Sequence, residues 1–370
     1  MLRYFLLIIF ILSFQFCKKS EPGKPLPISD KHTHIPPGYD PTLYRNKISR
    51  ANLTSWDRIN DIVIDSTNPS KAYLTGYFDN SFGTFGVYTT GIVSFNSSNN
   101  SFAAYSSCFF GSTSLSSEVY TLFQSSNGDH YVGGYYYSAS PTVNLKFARK
   151  TPSGTAFTHT VDLNGGVRCV REQGGDIYFG GDFTQLGFAY CTPILSMNTA
   201  NNSSINQVGA LNTSGAKLME YVNSSWYITS PNATGYIMSS NGGLWALVGT
   251  GFNSYVNDMI QVNGKLYVGG SMTRNMNSSM FRNYVNEFDG TDWVKVGTNN
   301  LASQCLDLEY YNGKLYACMY NAIVYFDSAS NSWKNACGPE VPAFVNLSKI
   351  KFINGKLYGV ESGSFFELTK

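Results

Sequence analysis

Val256-Asn-Asp-Met-Ile-Gln-Val262-Asn263-Gly264-Lys265-Leu-Tyr267-Val-Gly-Gly270 reads as two short apolar strands joined by the tightest of hairpin turns. Asn-Gly tolerates positive φ at both central positions of a type I′ turn, so the spacing predicts strand a over 256–262 paired with strand b over 265–270. Downstream, Tyr284 to Phe288 and Trp293 to Val296 form strands c and d, joined through Asp289-Gly290-Thr291-Asp292. Four such strands in succession make an antiparallel meander.

The same block recurs along the chain: Asn127-Gly-Asp-His-Tyr131, Gly174-Gly-Asp-Ile-Tyr178, Asn312-Gly-Lys-Leu-Tyr316 and Asn354-Gly-Lys-Leu-Tyr358. Degenerate copies surround Tyr73 and Trp226-Tyr227. The central tyrosines, 73, 131, 178, 227, 267, 316 and 358, define seven units. Strands c and d recur with them, as at 92–95 with Phe102 and at 324–326 with Trp333. A repeated four-stranded meander predicts an all-β chain, a seven-bladed β-propeller of four-stranded antiparallel blades. Composition agrees. The chain holds 35 Gly, 26 Tyr, 25 Phe and 5 Trp among 370 residues, and only 14% are charged, against about 25% in an ordinary globular chain. Aromatic residues punctuated by Gly, Asn and Ser favour short strands over long amphipathic helices.

An apolar strand ending in Gly-Gly, followed by an aromatic-Asp turn and a Trp, resembles the kelch repeat; the best matches are 267–270 with Phe288-Asp289 and Trp293, and Tyr325-Phe326-Asp327 with Trp333. The resemblance covers roughly residues 47 to 370. In kelch-like propellers, including the galactose oxidase group, it implies glycines that let backbones approach and a Trp wedged between neighbouring blades. The seventh unit stops at Lys370 without a strand d, while Lys47 to Trp56 precede the first strand a. That N-terminal segment is expected to supply the missing outer strand and close the ring, hiding edges that would otherwise pair with other chains.

Residues 1–16 carry one basic residue and an apolar run of signal-peptide length, too short to span a bilayer. Cys17 resembles the acylated cysteine of a bacterial lipobox, which implies membrane attachment through a lipid anchor, in the cell envelope and on the outer membrane. The other reading is an ordinary secretory signal with an incidental cysteine. Residues 17–46 are Pro-rich without apolar periodicity, hence a tether, and 47–370 the propeller. Six cysteines remain. Cys318 with Cys337 and Cys169 with Cys191 are the candidate disulfides, with buried free thiols as the alternative. A net charge of +2 without a basic run argues against nucleic acid.

In a propeller the b–c and d–a connections share one face, and here the b–c connections of units one, two, three and five are long. Long loops on a rigid scaffold collect binding residues, and clustered aromatics and arginines make interface hot spots. The expected partner-binding residues are Phe78, Phe85, Tyr88, Tyr136, Phe183, Phe188, Arg274 and Arg282. The four histidines offer no ligand set, so no metal, cofactor or catalytic residue is assigned. The leading expectation is a non-catalytic propeller that binds a protein or glycan. The alternative is an exported enzyme acting on glycans from the same face, marked by two carboxylates in an axial pocket.

Overall fold

The structure is a computed structural model. It describes residues 43–370 apart from 54–56, 79–90, 106–117, 138–143, 155–156, 160, 193, 200–203, 210–214, 230–234 and 277–282, with the backbone alone at 136–137, 144–145 and 159. The secondary structure of the described residues is entirely β. Five sheets are four-stranded and antiparallel, and a larger one consists of two four-stranded meanders joined only through Tyr77 and Glu118. Each meander follows the repeat: the fifth pairs Val256–Val262, Lys265–Gly270, Val285–Phe288 and Trp293–Lys295 in sequence order.

The turns have the predicted chemistry. Asn263 and Gly264 adopt φ of 51° and 79°, and Asn312-Gly313 and Asn354-Gly355 repeat the pair. Only Gly and Asn enter that left-handed region at low cost.

The first strands of consecutive units, Arg58–Asp65, Glu118–Gln124, Val167–Gln173, Leu218–Val222, Val256–Val262, Cys305–Tyr311 and Lys349–Ile353, touch in that order, and the last also touches the first. The core is accordingly a series of layers, each between two neighbouring sheets. One layer joins Ile62, Leu74 and Phe95 to Tyr358, Val360 and Phe365; another joins Val222 and Ile237 to Met259 and Trp293. Close approach of the sheets requires small residues. A Cβ on Gly133 would lie 2.6 Å from the Val167 carbonyl oxygen of the next unit, and one on Gly269 would lie 2.5 Å from Cys305 Sγ. The tryptophans bind the outer strands together: the indole N–H groups of Trp245, Trp293 and Trp333 donate to the carbonyls of Val208, Val248 and Val296, each in the preceding unit.

Asn46–Asn52 pairs antiparallel with Ser364–Thr369, so the last sheet takes its outer strand from the chain's other end. Lys47 binds Glu361 at 2.7 Å, Arg50 Nε donates to Glu367 at 2.8 Å, and Ala51 is buried. Tyr44, assigned by sequence to the tether, is buried against Cys337 and Leu368, and its N–H donates to the Ala336 carbonyl. The first strand of the seventh unit begins at Lys349, and Val345 is an exposed loop residue before it. The expected disulfides do not form. Cys169, Cys191, Cys305, Cys318 and Cys337 are free thiols, all buried but Cys191, and they pack as small apolar side chains.

Candidate functional site

All seven first strands begin on the face that carries the b–c connections, as the Ser271 N–H bond to the Tyr255 carbonyl and the Arg58–Tyr77 pairing illustrate. Between those beginnings lies a cavity of about 420 Å³, and a deeper one of about 240 Å³ shares Asp61, Arg171 and Asp258 with it. Five of the strands carry a β-bulge at their second or third residue. A bulge re-aims its extra residue, and here Asn60, Tyr120, Arg168, Asn257 and Leu306 all line the mouth. Lys217 and Ser348 line it from the remaining two units.

Most polar groups of this axial wall are engaged with the next unit. The Asn60 amide donates to the Val119 carbonyl at 3.0 Å and the Asn257 amide to the Cys305 carbonyl at 2.9 Å. Asp258 accepts the Leu308 N–H at 2.7 Å; Asp307 accepts the Ile350 N–H and the Lys349 ammonium, both at 2.9 Å. Deeper, Arg171 pairs with Glu220 at 2.6 Å and Lys351 with Glu309 at 2.8 Å. Burial, reinforced by the neighbouring Asp307, pushes the Asp258 carboxyl up to about 7 despite Lys349. Burial likewise raises Glu309. It would depress Lys349, but Asp307 and Asp258 outweigh it and raise that ammonium instead.

Three consecutive units leave groups over. Arg168 places Nε on both oxygens of Asp182, at 2.8 and 2.6 Å, and its guanidinium lies 4.4 Å from the centre of the Tyr120 ring. Among the described residues nothing accepts from its Nη atoms. Tyr120 meets Tyr135 edge to face, with room made by Gly166, where a Cβ would fall 2.6 Å from the Tyr135 ring. Lys217 is half-buried, and no described carboxylate lies within ion-pair distance of it. Burial, then the like charges of Arg168 and Lys349, lowers its pKa. No described group of three or more His, Cys, Asp or Glu could hold a metal ion.

The residues expected to bind a partner divide. Phe188 is fully exposed at the tip of a small hairpin in the third b–c connection, with Tyr190 82% exposed beside it. Arg274 is exposed in the fifth. Tyr255, Tyr320 and Val345 add exposed apolar surface from b–c and d–a connections. Phe78 and Phe183, read as exposed loop aromatics, are instead core: Phe78 is 2% exposed beside Ile59 and Leu74, and Phe183 is fully buried against Phe179. Both stand two residues past the last glycine of strand b, as does buried Met272, so this is a repeated inward position. Tyr136 lies in a strand paired with Leu145, its side chain undescribed. Cys17, Phe85, Tyr88 and Arg282 lie outside the described residues. The axial residues went unread, although Asn-Asp at 60–61 and 257–258, in corresponding positions of two units, is a visible signal for them.

No family model and no curated protein matches the chain. Among solved structures it is similar to YCF48 bound to a D1 peptide, at 11% identity and a TM-score of 0.57, over 86% of this chain and 94% of that one. YCF48 from Cyanidioschyzon merolae matches at 11% and 0.51, over 86% and 97%. The extracellular domain of the putative hybrid two component system BT4673 from B. thetaiotaomicron matches at 11% and 0.58, over 87% of this chain and 42% of that one. These are β-propeller proteins, and at such identity the likeness speaks to fold alone. The fold is therefore that of a β-propeller.

Proposed function

We propose that the chain is a closed, seven-bladed propeller, lipid-anchored at Cys17 in the cell envelope, that binds a protein partner on its b–c face without catalysis. The observation that carries the reading is the concentration of exposed Phe188, Tyr190, Tyr255, Tyr320 and Arg274 on the face where the axial cavity opens. Aromatic and arginine side chains bring large contact area at modest entropy cost. A peptide bound to a protein of this fold is in keeping with it. The cycle of contacts among first strands, and the pairing of Asn46–Asn52 with Ser364–Thr369, support closure of the ring. The test is capture from envelope extract. Phe188→Ala with Tyr190→Ala is expected to weaken capture roughly thirtyfold, from about 2 kcal/mol at a hot spot. Tyr311→Ala, on an a–b turn of the opposite face, is expected to leave it unchanged. The reverse pattern would move the site to the other side of the disc. Loss of lipid labelling in Cys17→Ala tests the anchor.

A second reading, an enzyme acting on glycans, draws support from Asp258, whose carboxyl sits near neutrality beside Asp307 in the deeper cavity. Against it, each of these carboxylates accepts a backbone N–H of the following unit. Turnover of a glycan that disappears in Asp258→Asn would establish that reading.

A further inference from the structure

We infer that the mouth of the axial cavity seats a single carboxylate of a bound peptide, held between the Lys217 ammonium and the outward edge of the Arg168 guanidinium. The inference rests on the binding reading above and names what the partner must bring. Seven positions encircle the mouth, and those of units one, five, six and seven are neutral: Asn60, Asn257, Leu306 and Ser348. Tyr120, Arg168 and Lys217, from three consecutive units, make the opposite arc.

In that arc the scaffold consumes only part of the donor capacity. Arg168 spends Nε on Asp182, which fixes the guanidinium plane over Tyr120 and leaves the two Nη groups without a described acceptor. A guanidinium so held is a preorganised fork for a planar carboxylate. Lys217 adds a second donor, and a half-buried ammonium with no ion-pair partner among the described residues gains most from an incoming anion. The Tyr120 and Tyr135 rings offer an apolar wall beside the charge, and about 420 Å³ is within the usual range of ligand clefts.

The charge count selects the ligand. Arg171, Lys349 and Arg168 are matched by Glu220, Asp307 and Asp182, so Lys217 is the one cation of the described wall without an ion pair. Asp61, Glu118 and Asp258 stand nearby on the same wall. A phosphate dianion or a polyanion would bring more negative charge than the arc can offset and would meet these carboxylates. One carboxylate, from a chain terminus or an acidic side chain, fits.

The experiment exposes immobilised full-length chain to three pools of N-acetylated random hexapeptides, and retained peptides are counted by mass spectrometry. The first pool lacks Asp and Glu and has free C-termini; the second is amidated and carries one Glu; the third is amidated without acidic residues. The expected result is at least tenfold greater retention of the first or second pool than of the third, and which of the two is retained identifies the source of the carboxylate. Lys217→Met is expected to abolish the difference and Lys217→Arg to keep it. Arg168→Lys, which retains the charge but not the fork, is expected to reduce it at least fivefold. Equal retention of the three pools, or a difference untouched in Lys217→Met and Arg168→Lys, overturns the inference. So does displacement of the peptides by inorganic phosphate at lower concentration than by acetate. Equal retention of the pools with envelope capture still lost in the Phe188→Ala, Tyr190→Ala variant removes the carboxylate seat and leaves the binding face standing. A carboxylate difference without any effect of the loop variant does the opposite.

Discussion

Asp258 ties two neighbouring units together and at the same time resists ionisation. Its Oδ2 accepts the Leu308 N–H, yet burial and Asp307 raise its pKa from 3.8 to about 7. Between about pH 4 and about pH 7 the folded chain thus holds a proton that the unfolded chain has released. Stability from this group is fully present below about pH 4 and is lost as the pH rises through about 7. Asn at 258 would keep an oxygen for Leu308 without the buried charge. Asp258→Asn is accordingly expected to stabilise the chain by on the order of 1–2 kcal/mol at pH 8, with the gain vanishing towards pH 4. Urea unfolding at pH 8 and pH 4.5 checks it; a variant less stable than wild type at pH 8 would mean that the carboxylate's charge is needed.

Glycine and its neighbours set how closely one sheet approaches the next. Gly133→Ala would press a Cβ to 2.6 Å from a backbone oxygen of the following unit, whereas Gly243→Ala would meet nothing closer than 3.8 Å. The first is expected to cost about 2 kcal/mol or more and the second less than about 0.5, which denaturant midpoints would separate. Such features were legible in the sequence because they are local: an Asn-Gly turn, a Gly pair and a Trp reveal themselves within ten residues of chain. The axial wall is not local. Lys217, Arg168 and Tyr120 come from three units: bulges turn Arg168 and Tyr120 inward, and Lys217 stands just before the first strand of its own unit. Phe78 and Phe183 differ from the expectation for a related reason, since after the last glycine of strand b, Gly76 or Gly181, the chain still has one inward position to fill before it leaves the sheet. Phe188 and Tyr190 lie far enough along the hairpin to clear that layer.

The N-terminal strand is an element whose loss should be felt far away. Removing residues 18–42 leaves its described contacts in place, while removing 18–52 strips the edge of Ser364–Thr369 and leaves Glu361 and Glu367 without Lys47 and Arg50. Unpaired edges recruit other chains. The shorter deletion is expected to melt within a degree or two of the full chain, and the longer one to melt much lower or aggregate. Matching thermal scans for both would show that the pairing contributes little.

At the scale of the molecule, the layered core makes every unit depend on two neighbours, and among the described strands only one sheet is assembled from both ends of the chain. Every other sheet is a continuous meander that can reform from local sequence. The seam between Asn46–Asn52 and Ser364–Thr369 must instead bring together residues 315 apart, as Ser49 and Ser364 illustrate with hydroxyls 3.1 Å from each other. Loop closure over such a length is entropically costly, so unfolding of a closed ring is expected to begin there. Ser49→Cys with Ser364→Cys would join the two ends covalently. By chain entropy alone the bond could add up to about 5 kcal/mol, less whatever strain the new bond introduces. The oxidised variant is expected to unfold in denaturant at least tenfold more slowly than wild type, with the wild-type rate restored by reductant, because the first opening event is blocked. If oxidised and reduced forms unfold at the same rate, the ring opens elsewhere and the seam is no weaker than the contacts between any other two sheets.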